Sequence, residues 1–499
     1  MATIASIPPE ILSSIFILVN VTKHSHHLFS ESHFRRTLPP SDFPSEPTGS
    51  HLGRVCRRWR DVSLATPALW ASLHVDLGES SSAKGIVEGL RMTLERAKSH
   101  PLSISIQYDS FQSIGPANID DPDFDSLPIP SRLISLIFNR SDHIHHLNLR
   151  FPFTGPNLNP STFALDCLSH FRDRVRNLRQ LVLCTPDDDA ILALEPFSNS
   201  PLLSSIAITI SDDTPLQLPR LPFSNLTEVV LEKTEMPQVV SLLGVCPNIR
   251  VANFSLWAGP PGSEEPRISS TLSLQYLETL YLGEVDRPKT SSFACFLDAL
   301  TMPALKTLSL EACGNLTYDR TPFLRSGEPC ELFGHVATLA ERSPEIESLH
   351  LNFIPSKDQD LILVLEKMPK LRLLDVAVEF SFGKPLTTSF LKGLGREDIA
   401  PRLRDLRLSL CQEGTEIENG ALEELLKCWM MRPPEYRLQS AYLQMKQSMF
   451  PALDLQCLRE MQNEGLAVRV ASWRGLSCPS GDTCHCRQTE FELLGYVQE

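Results

Sequence analysis

One short pattern recurs through most of this chain: an apolar residue, two others, a second apolar residue, one other, and a third apolar residue. Copies begin at Ile144, Leu178, Leu203, Leu226, Ile249, Leu277, Leu305, Ile346, Leu371, Leu403 and Leu438. The clearest are Leu277-Glu278-Thr279-Leu280-Tyr281-Leu282, Leu305-Lys306-Thr307-Leu308-Ser309-Leu310 and Leu403-Arg404-Asp405-Leu406-Arg407-Leu408. The ten intervals average about 29 residues and range from 23 to 41. A leucine-rich chain produces single copies by chance, so the constraint lies in the recurrence and in what separates the copies.

Helical segments separate them. Apolar spacing and stop signals predict helices over Met236–Cys246, Ser291–Leu300, Glu331–Ala340, Asp358–Lys367 and Ala421–Met430, with Pro369 closing the fourth before the next strand. A unit of one strand and one helix cannot bury its apolar side alone, so neighbours must stack. The expected fold class is α/β, with a curved parallel sheet on one side of a solenoid and helices on the other. Such units could also close as a barrel. The uneven intervals and the Leu-x-Leu strands favour the open form.

The pattern resembles the leucine-rich repeat family, in its irregular members. The Asn or Cys that follows the strand in that family is matched cleanly only by Cys313 and Cys411, so long helix-containing returns are expected. The solenoid spans 144–475. Residues 76–143, with a helix over Lys84–Lys98, a strand over Ser103–Tyr108, an acidic loop at 120–125 and a helix near Ser131–Phe138, are expected to cap the sheet edge. Strand alternation puts Tyr281, Glu311, His350, Asp375 and Arg407 on the sheet surface, where a protein substrate would be held.

Residues 1–75 have another character. Ile7-Pro8-Pro9-Glu10-Ile11-Leu12 carries helix-start chemistry, because Pro9 lacks the N–H that a first turn leaves unpaired and Glu10 sits where the helix dipole favours an anion. Ile11, Leu12, Ile15, Phe16, Leu18 and Val19 make a stripe wider than one buried face needs. Leu52, Val55, Trp59 and Val62 predict a second helix, with Arg54, Arg57, Arg58, Arg60 and Asp61 on its other faces. Thr66 as N-cap and Pro67 at the first position predict a short third helix that delivers Leu69 and Trp70.

The opening motif, Val55-Cys56-Arg57-Arg58-Trp59 and the closing Leu69-Trp70 resemble the F-box family. That resemblance implies a three-helix module that binds the Skp-type adaptor of a cullin-RING ubiquitin ligase through Pro8, Ile11, Leu12, Ile15, Phe16, Val55, Cys56 and Trp59. Leu52, Val62, Leu69 and Trp70 would be internal. The spacing from Pro8 to Trp59 is about twice the family's, the excess being a polar, Pro-rich insert at about 22–50, expected as an exposed loop.

Composition narrows the function classes. With 46 basic against 60 acidic residues and net charge −14, a general nucleic-acid surface is not expected. Neither a secretory signal nor a membrane span is evident. Thirteen cysteines without framework spacing fit a reducing compartment, cytoplasmic or nuclear. Asp187-Asp188-Asp189 reads as helix-start charge. His24, His26, His27 and His33 read as loop residues. Cys478, Cys484, His485 and Cys486, in a tail at 476–499, crowd donors too closely for easy tetrahedral zinc. No catalytic residue, metal or cofactor is expected. The combined expectation is a ligase substrate-recognition subunit; the alternative is a repeat scaffold whose helical module only caps the repeats.

Overall fold

The structure, a computed structural model, describes residues 7–24, 48–76, 83–107, 136–137, 139–150, 171, 174–185, 197–210, 221–256, 271–284, 290–312, 332–352, 357–378, 387–410, 418, 420–446 and 455–473. Most of the polar insert, the acidic loop at 120–125, Asp187 to Asp189, Cys313, Cys411, the histidines 26, 27 and 33, and the Cys/His cluster of the tail lie outside them. Two compact units divide between Leu226 and Thr227.

The first unit opens with helices α1 (Pro9–His24), α2 (Thr48–Gly53) and α3 (Arg57–Ala65), followed by one 3-10 turn, Pro67–Trp70. α1 starts at Pro9 as its chemistry requires, and Leu12 N donates to Pro8 O at 3.0 Å. The single helix expected around Leu52 to Val62 is two. Gly53 ends the first, and Cys56, in extended backbone, caps the second by accepting a hydrogen bond from Trp59 N on its Sγ at 3.5 Å. The apolar spacing stays in helical phase across that break, so the pattern alone cannot reveal it. Thr66 stands at the N-cap of the turn, but its hydroxyl donates to Val62 O at 2.7 Å rather than capping. Trp70 closes the core: it is buried, and its Nε1 donates to Ser63 O at 2.8 Å.

β1 (Ser72–Asp76) follows directly, then α4 (Ala83–Ala97), β2 (Leu102–Gln107), β3 (Ile144–Arg150), β4 (Gln180–Thr185) and β5 (Ser205–Ile210). These strands pair in chain order, all parallel. β2 lies between β1 and β3, so the segment 76–143 supplies an interior strand instead of capping the edge. The edge strand is β1, inside the segment read as helical module. The Arg96 guanidinium of α4 lies 4.3 Å from the Trp70 ring centre, so the helices share packing with the first strand–helix unit.

The second unit contains β6 (Glu228–Thr234), β7 (Val251–Leu256), β8 (Leu272–Ser273), β9 (Thr279–Glu284), β10 (Leu300–Thr301), β11 (Thr307–Ala312), β12 (Ser348–Asn352), β13 (Leu373–Val378), β14 (Asp405–Leu410), β15 (Ser440–Lys446) and β16 (Ala467–Trp473). β8 pairs with β10, both in the returns; the others pair in chain order, all parallel. Helices Met236–Val245, Thr290–Ala299, Leu332–Arg342, Asp358–Glu366 and Ala421–Met430 fall where expected, and Thr388–Leu394 and Leu455–Asn463 are additional.

Every apolar position of all eleven pattern copies is no more than 3 % exposed. The register explains why: Leu280, Leu308, Leu349, Leu374 and Leu406 are lateral neighbours across five strands, each adding a rung to one apolar row. Between rungs, polar donors tie each return to the one before. In the first unit Arg140 Nη1 donates to Lys98 O at 3.2 Å, Asn177 Nδ2 to Asp142 O at 2.6 Å, and Asn225 Nδ2 to Pro201 O at 3.1 Å. In the second, Arg342 donates to Leu297 O at 2.8 Å and Asp298 O at 2.9 Å, and the buried Arg432 donates to Arg396 O at 2.6 Å. Those to Lys98, Leu297 and Asp298 satisfy carbonyls that helix ends leave open. Because the donor varies in type and position, no uniform Asn/Cys ladder is needed.

One pH effect follows in the first unit. Partial burial, then Arg179 and neighbouring imidazoles, holds His145 below the ordinary histidine value; desolvation at the base of its otherwise exposed ring, then His145 and Arg179, does the same for His146. Both bind a proton more readily when unfolded, so the stability they contribute is present above about pH 6.5 and lost as pH falls through their lower folded values. The wild-type melting temperature is expected to drop between about pH 7 and 5 more steeply than that of a His145→Gln, His146→Gln variant. Parallel curves would contradict this.

Candidate binding surfaces

The helical module presents an apolar stripe. Along α1, Ile11, Ile15 and Leu18 are 53 %, 41 % and 65 % exposed, and Val55, just before α3, is 59 % exposed. Pro8 and Cys56 are exposed as well. Leu12 and Phe16, expected to face an adaptor, are each 2 % exposed and belong to the core. Trp59 is half-buried, with its ring centre 4.8 Å from that of Phe16. The reason is geometric. Ile11, Ile15 and Leu18 form one i, i+4, i+7 line and Leu12 and Phe16 another, roughly 100° round the helix. Two equally apolar lines give a sequence no means of telling which turns inward. Arg58 fixes the choice by donating to Ile7 O, while Ser13 Oγ meets Thr66 Oγ1 at 2.9 Å. Of the residues expected inside, Val62, Leu69 and Trp70 are buried and Leu52 is half-buried.

The second surface is the polar face of the sheet in the second unit. Asn253, Tyr281, Ser309, His350, Asp375, Arg407, Tyr442 and Arg469 occupy one register position across eight adjacent strands. Four of the five expected substrate residues thus fall in a single row, with neighbours about 4.8 Å apart. Glu311 is on the same face, two residues along β11. The row also contains Asn253, Ser309, Tyr442 and Arg469, which the same alternation, extended to every strand, identifies.

This face is not uniformly open. Glu311 and His350 are only 3 % and 5 % exposed, whereas Arg407 and Arg469 are exposed. Tyr281 supplies one cause. Its ring lies where a side chain on Gly283 would be, an added Cβ there meeting Tyr281 Cε1 at 3.1 Å, and its hydroxyl donates to Glu311, the lateral neighbour of Gly283. His350 Nδ1 lies 3.3 Å from Asp375 Oδ2, and Arg407 flanks the other side of Asp375.

Ser309, His350 and Asp375 follow one another in the row, which raises nucleophilic chemistry. The hydrogen bond seen within this trio is that between His350 Nδ1 and Asp375 Oδ2. The arrangement suits recognition by hydrogen bonds and charge. No group of histidines, cysteines and carboxylates among the described residues could hold a metal ion. The described thiols of Cys56, Cys246, Cys295 and Cys428 are free, and burial pushes that of Cys246 up to about 12. Among the described residues no helix is long and apolar enough to cross a membrane.

Fold and surfaces together define a mixed α/β repeat protein with parallel strands stacked in chain order. No protein-family model matches the chain, and no curated protein matches it. Among solved structures it is similar to a protein from Bacteroides fragilis, 13 % identical over 63 % of this chain and 69 % of that one, with a TM-score of 0.30. At that level neither ancestry nor function follows.

Proposed function

We propose that this chain is the substrate-recognition subunit of a Skp-cullin-F-box type ubiquitin ligase, acting in the cytoplasm or nucleus and without catalytic residues of its own. The helical module docks the Skp-type adaptor, and the polar sheet face of the repeats holds a protein substrate. The observation that carries the reading is the exposed line Ile11, Ile15 and Leu18, which begins inside the Ile7-Pro8-Pro9-Glu10-Ile11-Leu12 motif. A bare apolar helix face is costly to leave in water and is suited to a helical partner. The adaptor-facing set becomes Pro8, Ile11, Ile15, Leu18, Val55 and Cys56, with Leu12, Phe16 and Trp59 supporting it from beneath. The leucine-rich repeat assignment belongs to the same reading and rests on the register of the inward rows.

A second reading, in which the module only caps the repeats, is favoured by one observation: Arg96 of the first strand–helix unit packs on Trp70. Affinity purification from native extract separates the two. Deleting residues 1–75 would cut through β1, so point variants of Ile11 and Ile15 in the full chain are the appropriate comparison. Adaptor recovered with wild type and lost with the variants supports the ligase reading; adaptor absent from both supports the cap.

A further inference from the structure

Several surface cations of the second unit are paired with carboxylates. Arg250 and Lys306 both meet Glu278, Lys367 meets Glu341 at 2.6 Å, Lys370 meets Glu345 at 2.5 Å, and Arg372 meets Glu347 at 3.6 Å. The first unit does the opposite in one place. Three consecutive returns, at the ends where β2, β3 and β4 begin, bring together Lys98, Arg140, Arg174, Arg176 and Arg179 with His100, His143, His145 and His146. They are neighbours: Arg140 donates to Lys98 O, Asn177 to Asp142 O, and Arg179 N to His145 O at 2.8 Å. Lys98, Arg174, Arg176 and Arg179 are exposed, and among the described residues none of them has an ion pair. Asp142 is the sole described carboxylate of these returns, and it faces His143 at 3.6 Å.

We propose that this basic patch is a docking site for a short acidic polypeptide segment, a third interaction surface independent of the adaptor-binding helices and of the polar sheet face. Several like charges held together, with no ion pair to them among the described residues, cost stability that an anion spanning them relieves. The patch covers two strand steps, roughly 10 Å, which matches a run of three or four extended residues. Nucleic acid fits less well. Single strands gain affinity by stacking on aromatic side chains, and the one aromatic residue among the described parts of these returns, Phe171, is buried.

The test is binding of a fluorescent oligoglutamate peptide to the full chain by anisotropy, at about 50 mM and about 200 mM salt. Arg174→Glu, Arg176→Glu is compared with Lys367→Glu, Lys370→Glu, which changes net charge equally in the second unit. The expected result is salt-sensitive binding that the first pair weakens by about tenfold or more and the second by less than about twofold. No peptide binding, or equal loss in both pairs, would overturn the proposal. So would tighter binding of a single-stranded oligonucleotide of matched charge.

Discussion

Leu308→Asp is expected to abolish cooperative unfolding of the second unit. Leu308 is fully buried, with Leu280 and Leu349 as its lateral neighbours on the two flanking strands. A carboxylate there has no described cation within the row, and an unpaired buried charge costs on the order of 4 kcal/mol or more. In a stacked repeat each rung contacts only its neighbours, so losing one separates the strands on either side. Hydrogen exchange should report lost protection from β9 to β13, while Leu308→Met, which conserves volume, stays within about 1.5 kcal/mol of wild type. An unchanged midpoint for the aspartate variant would refute the inward assignment.

Gly49→Ala is expected to destabilise the helical module, against ordinary helix preference. In α2, alanine should gain about 1 kcal/mol over glycine. Here an added Cβ would meet Trp70 Cε2 at 2.6 Å. The ring cannot easily retreat, since its Nε1 is bonded to Ser63 O, its face is covered by Arg96, and Ser63 Oγ bonds back to Gly49 O at 3.1 Å. Overpacking of this kind costs about 1–3 kcal/mol, so the net sign is destabilising. Limited proteolysis within 48–70 should accelerate in the variant. A stabilised module would mean that Trp70 does not sit against α2.

The inward rows were legible because alternation along each strand and repetition between strands constrain the same residues twice. The five helices named from the sequence in the second unit lie within two residues of the structure for a similar reason: each had to fit between two dated strands. Thr388–Leu394 escaped, although Thr387 is an N-cap whose hydroxyl accepts from Ser389 N at 3.1 Å; the cap was a readable signal, but Gly393 and Gly395 dilute the apolar period around it. β1 was hidden because Leu73 and Val75 follow immediately on Trp70 and read as part of the helical motif. At the candidate sites the face of the sheet was readable from alternation, but the burial of Glu311 and His350 was not. That of Glu311 depends on Tyr281, one strand away, reaching over Gly283 to it, and no local pattern records that. The inward turn of Leu12 and Phe16 depends likewise on where Arg58 and Thr66 reach across the module.

The most direct test of the account is calorimetric titration of purified Skp-type adaptor into the full chain, the Ile11→Asp, Ile15→Asp variant, and a Leu202→Asp control, which alters an exposed leucine outside the helices. The account predicts that wild type and control bind alike and that the double variant loses about a hundredfold or more, since two central apolar contacts of about 2 kcal/mol each would be removed. Equal affinity of the double variant and wild type, or no adaptor binding by wild type, would contradict it.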